Sequence, residues 1–286
     1  MNEFNGGRFT RDGAGKFANL RHHAAGYHTI RRWSRAPIST AHAYTHWMPR
    51  RAHDVLDQAA AAMLDALTNE FWFHAIRTGE LVAPYSDGET APEVKGTCDY
   101  WAINYYTRGL ADARRANPGD GTKPSYAIDT TLPWRGFYSE ELHPDGLLAA
   151  LDRLHDRPVV ITENGVAAAD DRFRIVWLAH NLAAAAEGMA RGCDLRAYLH
   201  WSTFDNYEWY SYGPRFGLVD VDFASQRRTP KPSAAFYRDI IAANGCTPEL
   251  IARHLPSMPS VVDVTGRAAI ALAAARDLNP IQSAMA

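Results

Sequence analysis

Cysteine is scarce: Cys98, Cys193 and Cys246 are the only three, and no two of them form a CxxC pair. An odd, widely spaced set of thiols argues against a disulfide framework and against a zinc site built on cysteine pairs. It suits a reducing compartment, so a cytoplasmic location is expected. A basic excess is missing too, since 30 Lys and Arg stand against 32 Asp and Glu for a net charge of −2. Nucleic acid and anionic membrane surfaces are therefore not the expected partners, and an uncharged substrate is. No apolar run is long enough to span a bilayer, and the opening MNEFNGGRFTRDGAGKF contains no stretch of signal-peptide type. GxGxxG and phosphate loops are absent, which ranks flavodoxin-like and nucleotide-binding α/β proteins far behind. What the chain does have is core-forming material, with 47% hydrophobic and 22% charged residues, so disorder is not its expected state.

Periodicity supplies the elements. Phe17, Leu20, Ala24, Tyr27 and Ile30 recur at helical spacing, and Ile38 to Tyr44 reads as a short strand before Met48-Pro49. A long helix is expected from the N-cap Asp54 to about Gly79, with Val55, Leu56, Ala59, Met63, Leu67 and Phe71 on its apolar side. Cys98 to Tyr106 alternates, placing Tyr100, Ala102, Asn104 and Tyr106 on one face and Trp101, Ile103 and Tyr105 on the other. A loop rich in Gly, Pro and Asp follows, then a helix from Pro144 to Leu154 and a strand from Pro158 to Thr162. Ile175 to Met189 predicts a helix, Leu195 to Trp201 a strand, and Ser233 to Ala243 a closing helix with Gly245 beyond its end. Strands alternating with helices of this length imply βαβ units, a parallel sheet and an α/β fold of barrel type. A complete (β/α)8 barrel takes about 250 residues. Only four strands are convincing here, so the pattern predicts half a barrel with long loops, residues 1–245, followed by an Ala-rich tail, residues 246–286, of unread role.

Two segments carry chemistry. ITENG sets Glu163 directly after a run of β-branched residues, at a strand end, where barrel enzymes assemble their active sites. The bland alternative is a tight turn, because Asn164-Gly165 is a strong hairpin signal. HWSTFDNYEW, residues 200–209, brings two tryptophans, two acids and an amide to the end of another strand. Aromatic faces and bidentate hydrogen-bonding groups in this mixture suit a sugar ring, although an aromatic cluster capping the sheet would read the same way.

ITENG, HWSTFDNYEW, YGPRFGLVDVDF, RRTPKPSAAFY and KGTCDYWAINYYT follow one another in the order and approximate spacing of family 1 β-glycosidases. The chain resembles that family over residues 7–244, and the resemblance implies the last four βα units, strands 5 to 8, of its (β/α)8 TIM barrel. It also implies retaining hydrolysis of an O-glycosyl bond by double displacement, without metal or cofactor. Glu163 would be the nucleophile and Tyr106 would donate its phenol proton to that carboxylate. Asn104 would line the sugar site, Trp201 would lie under the ring, and Glu208 and Trp209 would bind outer hydroxyls. A carboxylate at Glu208 would repel a phosphorylated sugar, so an unphosphorylated β-glucoside, galactoside or fucoside, with an aryl or alkyl aglycone or a second sugar, is expected. Arg215, Phe216, Asp222 and Lys231 fall at structural positions of the family.

Retaining hydrolysis needs a second carboxyl group, which in the family lies in an Asn-Glu-Pro motif at the end of the fourth strand. Asn2-Glu3 is similar, but Phe4 stands where Pro is expected, and aligning Gly7-Arg8-Phe9 without gaps puts Glu3 several residues beyond the acid. The expectation is a nucleophile without its acid, weakly active at best, whose open sheet edges favour self-association. The alternative function is a non-catalytic family member that binds carbohydrate or a protein partner.

Overall fold

The computed structural model describes residues 2–3, 13–81, 86–117, 120–127, 141–208 and 211–257. The elements follow the chain as α1 (Gly13–Arg31), β1 (Ala41–Pro49), α2 (Val55–Asp65), a π turn (Ala66–Glu70), α3 (Phe71–Thr78), β2 (Trp101–Asn117) and β3 (Asp120–Ala127). Then come α4 (Pro144–Asp152), β4 (Val159–Asn164), α5 (Asp171–Ala190), β5 (Leu195–His200), β6 (Val219–Val221), β7 (Arg228–Pro230), α6 (Pro232–Ala243) and α7 (Pro248–His254). Strands β1, β2, β4 and β5 lie side by side in that order, β3 pairs with β2, and β6 with β7 forms a separate antiparallel ribbon. β1 and β2 are parallel, with Ala41 beside Ala102 and Ala43 beside Asn104. β4 and β5 also run the same way, because the Val159 N–H meets Asp194 O at their start and the Trp201 N–H meets Asn164 O at their end. The result is the α/β class that strand and helix alternation implied.

Two compact units divide the chain, residues 1–127, 153–162 and 194–198 in one and residues 128–152, 163–193 and 199–286 in the other. In the first, Trp101, Ile103 and Tyr105 are buried together with Phe71, Trp72, Phe73 and Ile76, while Ala102 and Asn104, on the opposite face of β2, are buried as well. Burial of both faces is what a covered parallel strand requires. Asp54 caps α2 by accepting from the Leu56 and Asp57 N–H groups, as its residue type predicts. Asp57, fully buried, accepts from the Arg51 and Ala113 backbone N–H groups and from the Arg51 guanidinium, tying the helix start to β2. The helix expected to run unbroken from Asp54 to Gly79 is interrupted by the π turn. There the buried Asn69 amide donates to Thr45 O at 2.9 Å, beside the register shift between Tyr44 and His46 of β1, so one side chain braces both irregularities.

Four sequence expectations move. β1 begins at Ala41 instead of Ile38 and continues through Thr45 to Pro49, because its ladder partner starts at Ala102 and the Ile38 N–H is taken by the Asp99 carboxylate. Val55, Leu56 and Ala59, expected on the apolar side of α2, are exposed, and the helix instead buries Asp57, Ala60 and Ala61. β2 runs on to Asn117 and turns back as β3, where a loop was expected. Asn244, not Gly245, takes the left-handed conformation that ends α6.

In the second unit α4 packs on α5, and the side-chain-free face of Gly188 makes this possible, because a Cβ there would come within 2.5 Å of Leu151 Cδ1. Val166, Phe173, Val176 and Trp177 form a buried cluster on α5 and the segment before it.

His42 in the first unit is fully buried, and desolvation drives its pKa down to about 3, while burial also lowers His23. Both pKa values are lowered from 6.5, so each imidazole contributes stability that is complete above pH 6.5 and is lost as pH falls, for His42 down toward pH 3. His42 alone accounts for a loss of about 2 kcal/mol between pH 7 and pH 5. Tm should therefore drop steadily over that window, above the range in which carboxylates titrate; a Tm that does not change would contradict the buried neutral imidazoles.

Candidate active site

The strand ends hold the residues singled out from sequence. Asn104 lies on the face of β2 that also carries Ala102, and it is 1% exposed. Such an amide must find partners for two N–H donors and a carbonyl oxygen. All three are met: Nδ2 donates to Asn2 Oδ1 at 3.0 Å and to Glu3 Oε1 at 2.9 Å, and Oδ1 accepts from the Thr162 hydroxyl at 2.6 Å. Glu3 reaches this position because the backbone at Asn2 bridges Ala41 in parallel and the Glu3 N–H donates to Ala41 O at 2.9 Å. The short N-terminal segment thus continues the sheet for one rung beyond β1 and delivers a carboxylate to Asn104. Sequence reading missed this, since the spacing through residues 4–12 carries no record of a backbone bond to Ala41.

Glu163 is half-buried on the last turn of the pleat of β4. The residue before it, Thr162, is held by Asn104 and by Ile103 O. The residue after it, Asn164, is fully buried, its Oδ1 accepting from Trp177 Nε1 at 3.1 Å and its Nδ2 donating to Asn181 Oδ1. Both neighbours of Glu163 are therefore fixed, which limits the positions open to its carboxylate. The hairpin reading of TENG fails, because the chain proceeds to the Asp170 N-cap and into α5 instead of returning as a strand. Tyr106 is half-buried on β2, at the point where the register with β1 shifts between Tyr105 and Arg108.

Trp201 and Glu208 come together: Trp201 Nε1 donates to Glu208 Oε1 at 2.9 Å, and Glu208 is 6% exposed. A buried carboxylate needs such a donor. The Glu208 and Ser211 backbones exchange two hydrogen bonds, and the Trp201–Ser202 peptide is cis. Trp209 lies outside the described residues. Among the described residues no cluster of His, Cys, Asp or Glu could hold a metal ion, and no helix is long and apolar enough to cross a membrane. Of the candidate carboxylates, Glu3 accepts from the Asn104 amide in the first unit, and Glu208 accepts from the half-buried Trp201 indole in the second.

Gly165 is required where the ends of β4 and β5 meet. A Cβ at this residue would lie 1.9 Å from the Trp201 carbonyl oxygen, a backbone atom that cannot swing aside. Gly165→Ala should cost about 1–3 kcal/mol in urea unfolding and displace the neighbouring strand ends; a variant as stable as the parent would contradict the close approach.

The description Glycosyl hydrolase family 1 belongs to a family model that matches residues 14–246. The chain is 32% identical over 259 residues to the beta-galactosidase of Sulfolobus acidocaldarius, covering 86% of this chain and 50% of that protein. To the thermostable beta-glucosidase B of Thermobispora bispora it is 39% identical over 165 residues, 51% of this chain and 33% of that one. The solved beta-glycosidase from Pyrococcus horikoshii superposes with a TM-score of 0.72 at 29% identity, over 82% of this chain and 54% of that chain. The chain spans about half the length of the curated relatives it matches. With the family model matching well over half of its residues, the chain belongs to glycosyl hydrolase family 1.

Proposed function

We propose that the chain hydrolyses β-glycosides of unphosphorylated sugars with retention, using Glu163 as nucleophile and Glu3 as acid and base. The four parallel strands are taken as equivalents of the last four of the family barrel, with Asn2-Glu3 in the place of the end of the strand before them. In the first step Glu163 attacks the anomeric carbon while the bond to the leaving oxygen breaks and the Glu3 proton passes to that oxygen. In the second, Glu3 takes a proton from water as the water oxygen displaces Glu163.

The observation that carries this reading is the Asn104 amide, which donates to Glu3 Oε1 and accepts from Thr162, the residue beside Glu163. Asn104 thereby becomes a positioning residue for the acid, where sequence suggested a contact to sugar. Tyr106 is assigned the phenol that steadies the ionised Glu163, Trp201 the platform under the ring, and Glu208 with Trp209 the outer hydroxyls. The Trp201 indole holds the Glu208 carboxylate in a buried position, where a second anion on the sugar would be repelled. The names of the relatives, beta-galactosidase and beta-glucosidase, support the class of substrate.

An activated 2-deoxy-2-fluoro-β-glucoside should leave a covalent adduct on the peptide containing Glu163; reagent recovered intact with unlabelled protein would sink the proposal. Glu3→Gln should lower the rate on cellobiose by about 10²–10⁴-fold while sparing the first step on an aryl glycoside with a good leaving group. Equal rates for parent and variant on both substrates would remove Glu3 from the mechanism.

A further inference from the structure

The loop that carries Glu208 is closed at its base by backbone pairing. Leu218 N donates to Ser202 O, Val219 N to Thr203 O, and Asp205 N to Val219 O, so the two ends of the segment that carries Glu208 are paired in a narrow neck. The neck admits no side chain at Gly217, where a Cβ would lie 2.2 Å from Asp205 N and 2.4 Å from Phe204 C. At this crossing sits a buried ion pair. Lys231 Nζ lies 2.9 Å from Asp205 Oδ1, 3.0 Å from Oδ2 and 2.8 Å from Gly217 O, an acceptor set that uses the full donor capacity of an ammonium group. The Asp205 carboxylate, with no exposed surface, also accepts from Gly217 N at 2.8 Å and faces Arg215 at 3.5 Å.

Lys231 is the residue before α6, and the first turn of that helix is held in turn. The Ser233 N–H and hydroxyl both donate to Asp171 at 2.7 Å, and Asp171 pairs with the fully buried Arg174. The Arg174 guanidinium donates to Ala168 O, in the segment that follows Glu163, and to Arg215 O, in the loop that carries Glu208. The contacts form a closed ring, Arg174, Arg215, the loop neck, Asp205, Lys231, Ser233, Asp171 and back to Arg174, with Ala168 bound to it through Arg174. Stability alone gives little reason to bury two such pairs, because well-packed apolar groups serve as well or better. What a ring of directional contacts does supply is a single fixed geometry.

We propose that Lys231, acting through Asp205, is a positioning residue that sets the Glu208 carboxylate for the sugar, with Arg174 holding the same loop to the segment after Glu163. This rests on the proposed glycosidase reading and extends it to a residue that sequence assigned to structure only. Because Lys231 acts through Glu208, its removal lowers affinity for the sugar more than it slows chemistry.

The test is a mutant cycle on an aryl β-glucoside. Asp205→Asn/Lys231→Met removes both charges together and leaves no lone ion buried. The folded double variant should raise KM about tenfold with kcat within about threefold, and the rise should vanish when Glu208→Ala is already present. An unchanged KM, or the same rise on the Glu208→Ala background, would overturn the proposal. Should the double variant fail to fold, Lys231→Arg, which keeps the charge beside Asp205 but cannot reproduce the three-acceptor contact, should give a smaller KM rise, and an unchanged KM in it overturns the proposal equally. If the parent is not labelled by the fluoroglucoside, the glycosidase reading has failed. Amide exchange at Asp205, Leu218 and Val219 then decides the clasp: faster exchange in the double variant, with α4 unchanged, supports it, and unchanged exchange overturns it.

Discussion

The side chain of Asn104 is the contact on which the candidate chemistry depends. It is buried on a strand whose two faces are both covered, where an unpaired amide group would cost about 1–3 kcal/mol per donor or acceptor. Its demand is met by Asn2, Glu3 and Thr162 together, so satisfying one amide brings a carboxylate to a strand end and fixes the residue beside Glu163. Ala41 completes the arrangement through the backbone, accepting from the Glu3 N–H. A family position usually viewed as a sugar contact is, in this chain, first a hydrogen-bond junction.

The second unit uses a different device. Gly165 lets the ends of β4 and β5 approach, Asn164 is locked under Trp177, and two buried ion pairs hold the loops that follow. Glu208 is thereby kept buried, with the Trp201 indole as a donor. The carboxylates therefore occupy distinct settings: Glu3 on an amide, Glu208 on an indole, and Glu163 between two pinned neighbours. Different surroundings for like groups are how one fold assigns them different roles.

Much of this was legible from residues alone, for reasons that differ by element. β4 was found because Val159 to Thr162 is a short β-branched run after a proline, and α5 because its apolar spacing is long and uninterrupted. Asp54 announced its helix by residue type. Information that is not local was invisible. The start of β1 depends on where β2 offers a partner, and the β3 return depends on pairing across a stretch whose composition reads as loop. Val55 and Leu56 were misassigned because a first-turn apolar residue satisfies helical spacing without facing the core. The contact of Glu3 with Asn104 was hidden for the same kind of reason, since only the backbone ladder to Ala41 shows where its carboxylate goes.

The central claim, that Glu163 and Glu3 divide the work of nucleophile and acid, is tested most directly by the stereochemistry of azide rescue on an activated aryl β-glucoside. With Glu3→Ala the glycosyl-enzyme still forms, and azide should attack it to give the β-glycosyl azide. With Glu163→Gly no such intermediate can form, and azide should attack the substrate itself to give the α-glycosyl azide. The account predicts opposite anomers from the two variants. The same anomer from both, or no rescue of either, would contradict it.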